Sequence, residues 1–119
     1  MYFNINKFKK MITQLTQNEK ILIKSPAELH NGTNTITGIF YLSDKRIIFE
    51  AHNINITNGL IVFYFIDILS ISKSWTRFLG IIPISYDSIT INLKSGNSYS
   101  FVLMQRDFVY DLINTNRKK

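Results

Sequence analysis

The sequence predicts a mainly-β domain of about seven short antiparallel strands, curled into a closed shell and capped by a C-terminal helix. A short N-terminal helix precedes it, so residues 1–15 form a helical lead and 16–119 the domain proper. Three observations carry this expectation. Segments between residues 20 and 104 alternate apolar and polar side chains, the period of half-buried strands. Turn-forming clusters separate these segments at short intervals. A helical period appears only near the two chain ends, and seven alternating strands must curl to cover their apolar faces.

The lead comes first. Ile5, Phe8, Ile12 and Leu15 recur at steps of three and four, one face of a helix, with Lys7, Lys9 and Lys10 off that face. Such a basic amphipathic segment suits a membrane surface or packs its stripe on its own domain.

From Glu19 to Leu29 the period becomes strand-like, with Pro26 at a position suited to an edge or bulge. His30-Asn31-Gly32-Thr33-Asn34 is a turn cluster. TITGIFYL (35–42) and RIIFEA (46–51) flank a turn at Ser43-Asp44-Lys45. Ser43 and Asp44 are expected to accept hydrogen bonds from turn amides, Arg46 to pair with Asp44, and Gly38 to permit a bulge or bend. Phe40, Leu42, Ile47 and Phe49 point to the core.

Asn53–Gly59 reads as a polar loop, and LIVFYFI (60–66), apolar throughout, as a strand rather than a helix. From Asp67 to Trp75, Leu69, Ile71, Lys73 and Trp75 share one face, Ile68, Ser70 and Ser72 the other. Thr76–Tyr86 reads as a connection. Ser88–Lys94 alternates with Ile89, Ile91 and Leu93 inward, Ser95-Gly96-Asn97 turns, and Ser98–Met104 groups Tyr99, Phe101 and Leu103. The last helix starts with Asp107 as N-cap, pairs Phe108 with Leu112 and Val109 with Ile113, and ends at Asn114 and Asn116.

Composition narrows function. Hydrophobic residues make up 45% and charged residues 18% of 119, which a folded core needs and a disordered chain lacks. With no cysteine, thiolate metal sites and thiol catalysis are excluded. His30 and His52 are the only histidines, too few to build a histidine metal site, and no cofactor is implied. No Gly-rich phosphate loop, zinc-protease or serine-hydrolase motif occurs, which points away from an enzyme; Glu50 and His52 at i, i+2 read as a surface pair. No apolar run is long enough for a membrane-spanning helix, and the N-terminus lacks the pattern of a signal peptide. The cytoplasm is the expected location, at most peripheral at the inner face of the membrane.

The net charge is +6, but its placement matters more than its size. Lys7, Lys9, Lys10, Arg117, Lys118 and Lys119 sit at the ends, whereas eight basic and eight acidic residues balance between Met11 and Asn116. A reader of nucleic acid needs a basic face on its folded body, so none is expected as partner. Basic ends suit an anionic membrane surface, or act as solubilising tails. The abundance of Ile, Asn and Lys also follows from codons low in G and C, as in many bacteria.

Four segments together resemble the GRAM domain family, whose fold is a pleckstrin-homology-like split barrel. They are Leu15-Thr16-Gln17-Asn18-Glu19-Lys20-Ile21-Leu22, the hairpin Gly38–Phe49 with Tyr41-Leu42-Ser43-Asp44-Lys45-Arg46, Asp67-Ile68-Leu69-Ser70-Ile71, and Lys94–Phe101 with its Gly96 and Tyr99. The order matches across residues 15–114. The resemblance implies two bent antiparallel sheets with a C-terminal helix, and a role in binding membrane lipids or proteins. Inositol phosphates in such folds dock on cations of the first strand–loop–strand, but here that loop holds none and Lys24 lies six residues before it. A polyphosphate headgroup needs several converging cations, so a specific phosphoinositide site is not expected. The better candidate is the 73–83 connection, with Lys73, Trp75, Arg77, Phe78 and Leu79. Exposed, these side chains would form an apolar, cationic membrane- or partner-binding loop; folded back, they would cover a sheet. The alternative function is a protein-interaction scaffold or homodimerising adaptor that uses a strand edge or this same loop.

Overall fold

The structure, a computed structural model, describes residues 11–31, 34–52, 59–78 and 84–118. Seven antiparallel strands, β1 (Ile21–Asn31), β2 (Asn34–Ser43), β3 (Arg46–Ala51), β4 (Leu60–Tyr64), β5 (Ile68–Phe78), β6 (Ile84–Leu93) and β7 (Ser98–Leu103), precede one helix, α1 (Arg106–Arg117). They form one sheet in the order β4-β3-β2-β1-β7-β6-β5. Its two halves join through the short ladder from Ala27↔Leu103 to His30↔Ser100. Pro26 lies one residue before that ladder, so its missing N–H costs no bond to β7.

The sheet bends over itself around aromatic rings. Phe101 of β7 meets Phe40 of β2 at 5.4 Å, Phe49 of β3 at 5.3 Å and Phe63 of β4 at 6.0 Å between ring centroids. The core holds the predicted inward set, including Leu42, Ile47, Ile89, Ile91 and Leu103. Val109 and Ile113 of α1 plug it, which explains their i, i+4 pairing. A smaller cluster of Ile39, Tyr41 and Ile48 lies apart from this core, partly covered by Met11, Ile21 and Val62.

Several expectations need correction. Residues 11–15 are not helical; they run as a strap across β3, where the Glu50 carboxylate accepts the amides of Ile12 (3.0 Å) and Thr13 (2.7 Å) and the Thr13 hydroxyl. Residues 1–10 of the expected helix lie outside the described residues, as does loop 53–58. The apolar run 60–66 stops as a strand at Tyr64, and Phe65–Asp67 forms a 3₁₀ turn. β5 and β6 consume most of the expected 76–86 connection, leaving 79–83 between them. α1 starts two residues early, with Gln105 in the left-handed region (φ 56°) as N-cap without a side-chain bond, and runs to Arg117, where Asn116 turns inward and its side-chain amide donates to the Leu112 carbonyl.

Gly38 makes no bulge. It sits in regular ladders, paired with Ala27 and Ala51. Glycine is needed for clearance: a Cβ there would lie 2.3 Å from the Glu50 carbonyl oxygen and 2.8 Å from the Phe49 ring. Gly38→Ala must push β3 away from β2, and is expected to cost roughly 3 kcal/mol, the upper range for overpacking. Urea unfolding at neutral pH measures it; a loss under about 0.5 kcal/mol would show that the strands separate freely there.

Candidate functional site

Arg46 and Glu19, both within the family-like motifs, build a closed structural network. Glu19 is held at the end of a tight turn at Asn18 (φ 65°), where its carboxylate accepts the Thr16 amide at 2.9 Å. Arg46 opens β3 with its side chain inward and donates Nε to Glu19 Oε2 at 2.9 Å and an Nη to Oε1 at 3.0 Å. The Ser43 hydroxyl donates to the same carboxylate, and its oxygen accepts the Lys45 and Arg46 amides, as expected of the turn. Burial raises the Glu19 pKa, but the bonds from Arg46, Ser43 and Thr16 outweigh it and bring it to about 2. The Arg46 Nη that bonds Glu19 also donates to the Gln14 carbonyl at 3.0 Å, and the other Nη reaches the Tyr64 hydroxyl at 3.5 Å. Arg46 therefore pairs with Glu19, not Asp44, whose carboxylate accepts the Lys20 amide instead. At 6% exposure and with its donors engaged, Arg46 supports the fold rather than a ligand.

The 73–83 candidate divides. Lys73, Trp75, Arg77 and Phe78 lie on β5, not in a loop: their backbones pair with Ile89, Asp87, Ser85 and Ile84 of β6. Lys73 turns to α1, 3.1 Å from the Asp107 carboxylate and 4.9 Å from the Tyr110 ring centre. The bond from Lys73 leads the causes that hold the Asp107 carboxyl below its usual range. Asp107 is thus the partner of Lys73 and Arg106, not a helix cap. The side chains of Trp75, Arg77 and Phe78, and Leu79 entirely, lie outside the described residues, as do Lys7, Lys9, Lys10 and Lys119.

The C-terminal cations have a defined place. Arg117 belongs to the helix, and one Nη donates to the carbonyls of Ile68 (3.3 Å) and Leu69 (3.4 Å). Lys118 follows, exposed. Lys94 is brought to the same corner, its amide donating to the Asp67 carbonyl at 3.0 Å. Here the predicted face of β5 is reversed at its start. Register shifts between Ile68 and Ser70, so Leu69 is the extra residue of a bulge. Ile68 enters the core at 2% exposure while Leu69 stands out at 63%. Two adjacent apolar residues at the head of an alternating strand were the only sequence sign that one must face outward.

The Glu50–His52 pair does not assemble: the Glu50 carboxylate is engaged by the strap, and His52 is exposed, its amide donating to the Thr37 carbonyl. Among the described residues no three His, Asp or Glu side chains are grouped to hold a metal. No helix among them is long and apolar enough to cross a membrane.

Solved structures decide the fold. The chain superposes on the Vps36 N-terminal PH domain with a TM-score of 0.64 at 17% identity, over 88% of this chain and 83% of that one. The fold is pleckstrin-homology-like. The same likeness extends to the hSac2 domain of the human phosphoinositide phosphatase Sac2 (TM-score 0.64, 9% identity, 87% and 73% covered). It also extends to the C-terminal domain of an unknown protein from Leishmania infantum (TM-score 0.66, 15% identity, 85% and 86% covered). At these identities the likeness concerns the pleckstrin-homology-like fold alone. No family model and no curated protein matches the chain in sequence.

Proposed function

We propose that this pleckstrin-homology-like chain is a non-catalytic, GRAM-type module that attaches peripherally to anionic membrane surfaces from the cytoplasmic side. The observation that carries the reading is the distribution of charge. Between Met11 and Asn116 eight cations balance eight acids, three of the cations pairing directly as Arg46–Glu19, Lys73–Asp107 and Arg106–Asp87, while the surplus of +6 sits at the chain ends. Each Lys or Arg held near an anionic bilayer contributes about 1 kcal/mol, so a few acting together suffice for reversible attachment. The β1–β2 hairpin supplies no cluster for a polyphosphate headgroup; its one cation, Lys24 on β1, lies over the Tyr41 ring at 5.9 Å. Attachment is therefore governed by surface charge rather than by one headgroup.

Co-sedimentation with vesicles tests this. The protein is expected to pellet with phosphatidylserine-containing vesicles at low salt, not with neutral phosphatidylcholine, and to bind less as salt screens the contact. No pelleting with anionic vesicles at low salt rejects the reading. A protein-interaction role is the second reading, favoured by a groove of about 350 Å3 between the start of β1 and the start of α1. Leu22, Met104 and Phe108 stand exposed along it. A strict monomer in light scattering speaks against its homodimeric form.

A further inference from the structure

We infer that the corner joining β4 to β5 is a wedge that enters the interfacial layer of an anionic bilayer, with Ile66 and Leu69 as the inserted side chains. The inference rests on the membrane reading above and gives it a surface. Ile66 is 76% exposed on the 3₁₀ turn, Leu69 63% and Tyr64 49%. None of the three residues of that turn is buried. Three large, largely apolar side chains this open within six consecutive residues form a cluster of the kind that marks an interaction surface.

The bulge shows why Leu69 is out. Uninterrupted alternation would have placed it with buried Ile71; the extra residue sends Ile68 inward and Leu69 outward. Bulges commonly re-aim a side chain in this way.

Charge identifies the partner. Arg117 and Lys94 border the corner, with Lys118 next in the chain and exposed, beside the exposed acid Asp67. The Arg117 guanidinium, bonded to the carbonyls of Ile68 and Leu69, is thereby held beside the backbone that carries the exposed Leu69 side chain. Apolar side chains beside Lys and Arg are what the boundary between acyl chains and anionic headgroups accommodates. Another apolar surface, around Phe108 at the far end of α1, has Lys24 in its lining, but its other cations are met by acids: Arg106 by Asp107 and Asp87, and Lys73 by Asp107.

The chain has no cysteine, so single cysteines can be labelled cleanly. Ile66→Cys, Leu69→Cys and Phe108→Cys proteins would each carry an environment-sensitive fluorophore. With mixed phosphatidylcholine–phosphatidylserine vesicles, the labels at 66 and 69 are expected to brighten and shift to the blue, and that at 108 to stay unchanged. In parallel, Ile66→Ser with Leu69→Ser is expected to weaken vesicle binding about tenfold or more while circular dichroism stays that of the wild type. If the unlabelled wild-type protein binds these vesicles but the label at 108 alone responds, or the double variant binds as well as wild type, the wedge is wrong and the membrane reading survives. If the wild-type protein does not bind anionic vesicles, both fall.

Discussion

Arg46→Ala is expected to remove about 3–5 kcal/mol of folding stability, the cost of leaving a buried carboxylate without its cation. For a domain whose total is about 5–15 kcal/mol, that is a large share. The Glu19 side chain is 0% exposed and that of Arg46 7%, so water cannot replace either partner. Arg46→Lys should recover only part of the loss, because an ammonium cannot supply two parallel bonds. Replacing both residues with apolar side chains of similar volume should recover more. Urea unfolding of the three variants distinguishes these cases; a loss under about 1 kcal/mol for Arg46→Ala would contradict the network.

The same pair sets the acid response. Glu19 has a folded pKa of about 2 against 4.5 for the ordinary side chain. A lowered carboxyl pKa means that the folded state binds the proton less readily than the unfolded one. Its contribution is fully present above about 4.5 and is lost as pH falls toward 2. Wild type should therefore lose stability across this window, and Glu19→Gln should lose less there. In Arg46→Ala only burial and neutral donors remain around Glu19, so the steep acid loss should shrink.

Phe101→Ala is expected to cost about 3–5 kcal/mol, the usual penalty for emptying a core aromatic position. The physical reason is position: Phe101 joins the rings of β2, β3 and β4 to the β7 half of the sheet. Its neighbour Val102, on the opposite face, should cost less when shortened to alanine. Thermal or urea unfolding compares the two. Equal effects would mean that the sheet does not close around Phe101.

Much of this fold can be read from local pattern, because a pattern of period two fixes which side chains face inward. Ile89, Ile91, Phe101 and Leu103 alternate without interruption and lie where alternation places them. The pattern fails where the backbone changes phase. Nothing in LIVFYFI distinguishes Tyr64, the last strand residue, from Phe65, the first of a 3₁₀ turn, and one inserted residue at Leu69 reverses the faces beside it. Long-range partners are the other gap. Glu19 and Arg46 are 27 positions apart, and Lys73 and Asp107 farther. Charge type alone could equally pair Arg46 with Asp44 next to it, and only the packed fold decides. Arg117 looked like part of a tail because Asn114 and Asn116 are poor helix formers, yet Asn116 is buried and the helix continues past it.

The most direct test of the whole account is amide hydrogen exchange of the intact chain, free and bound to phosphatidylserine-containing vesicles. A membrane module seated on the β4–β5 corner should slow exchange around residues 64–70 and at the end of α1, and leave the β1–β2 hairpin unchanged. Protection centred on that hairpin, or on the groove at Met104 and Phe108, would contradict it.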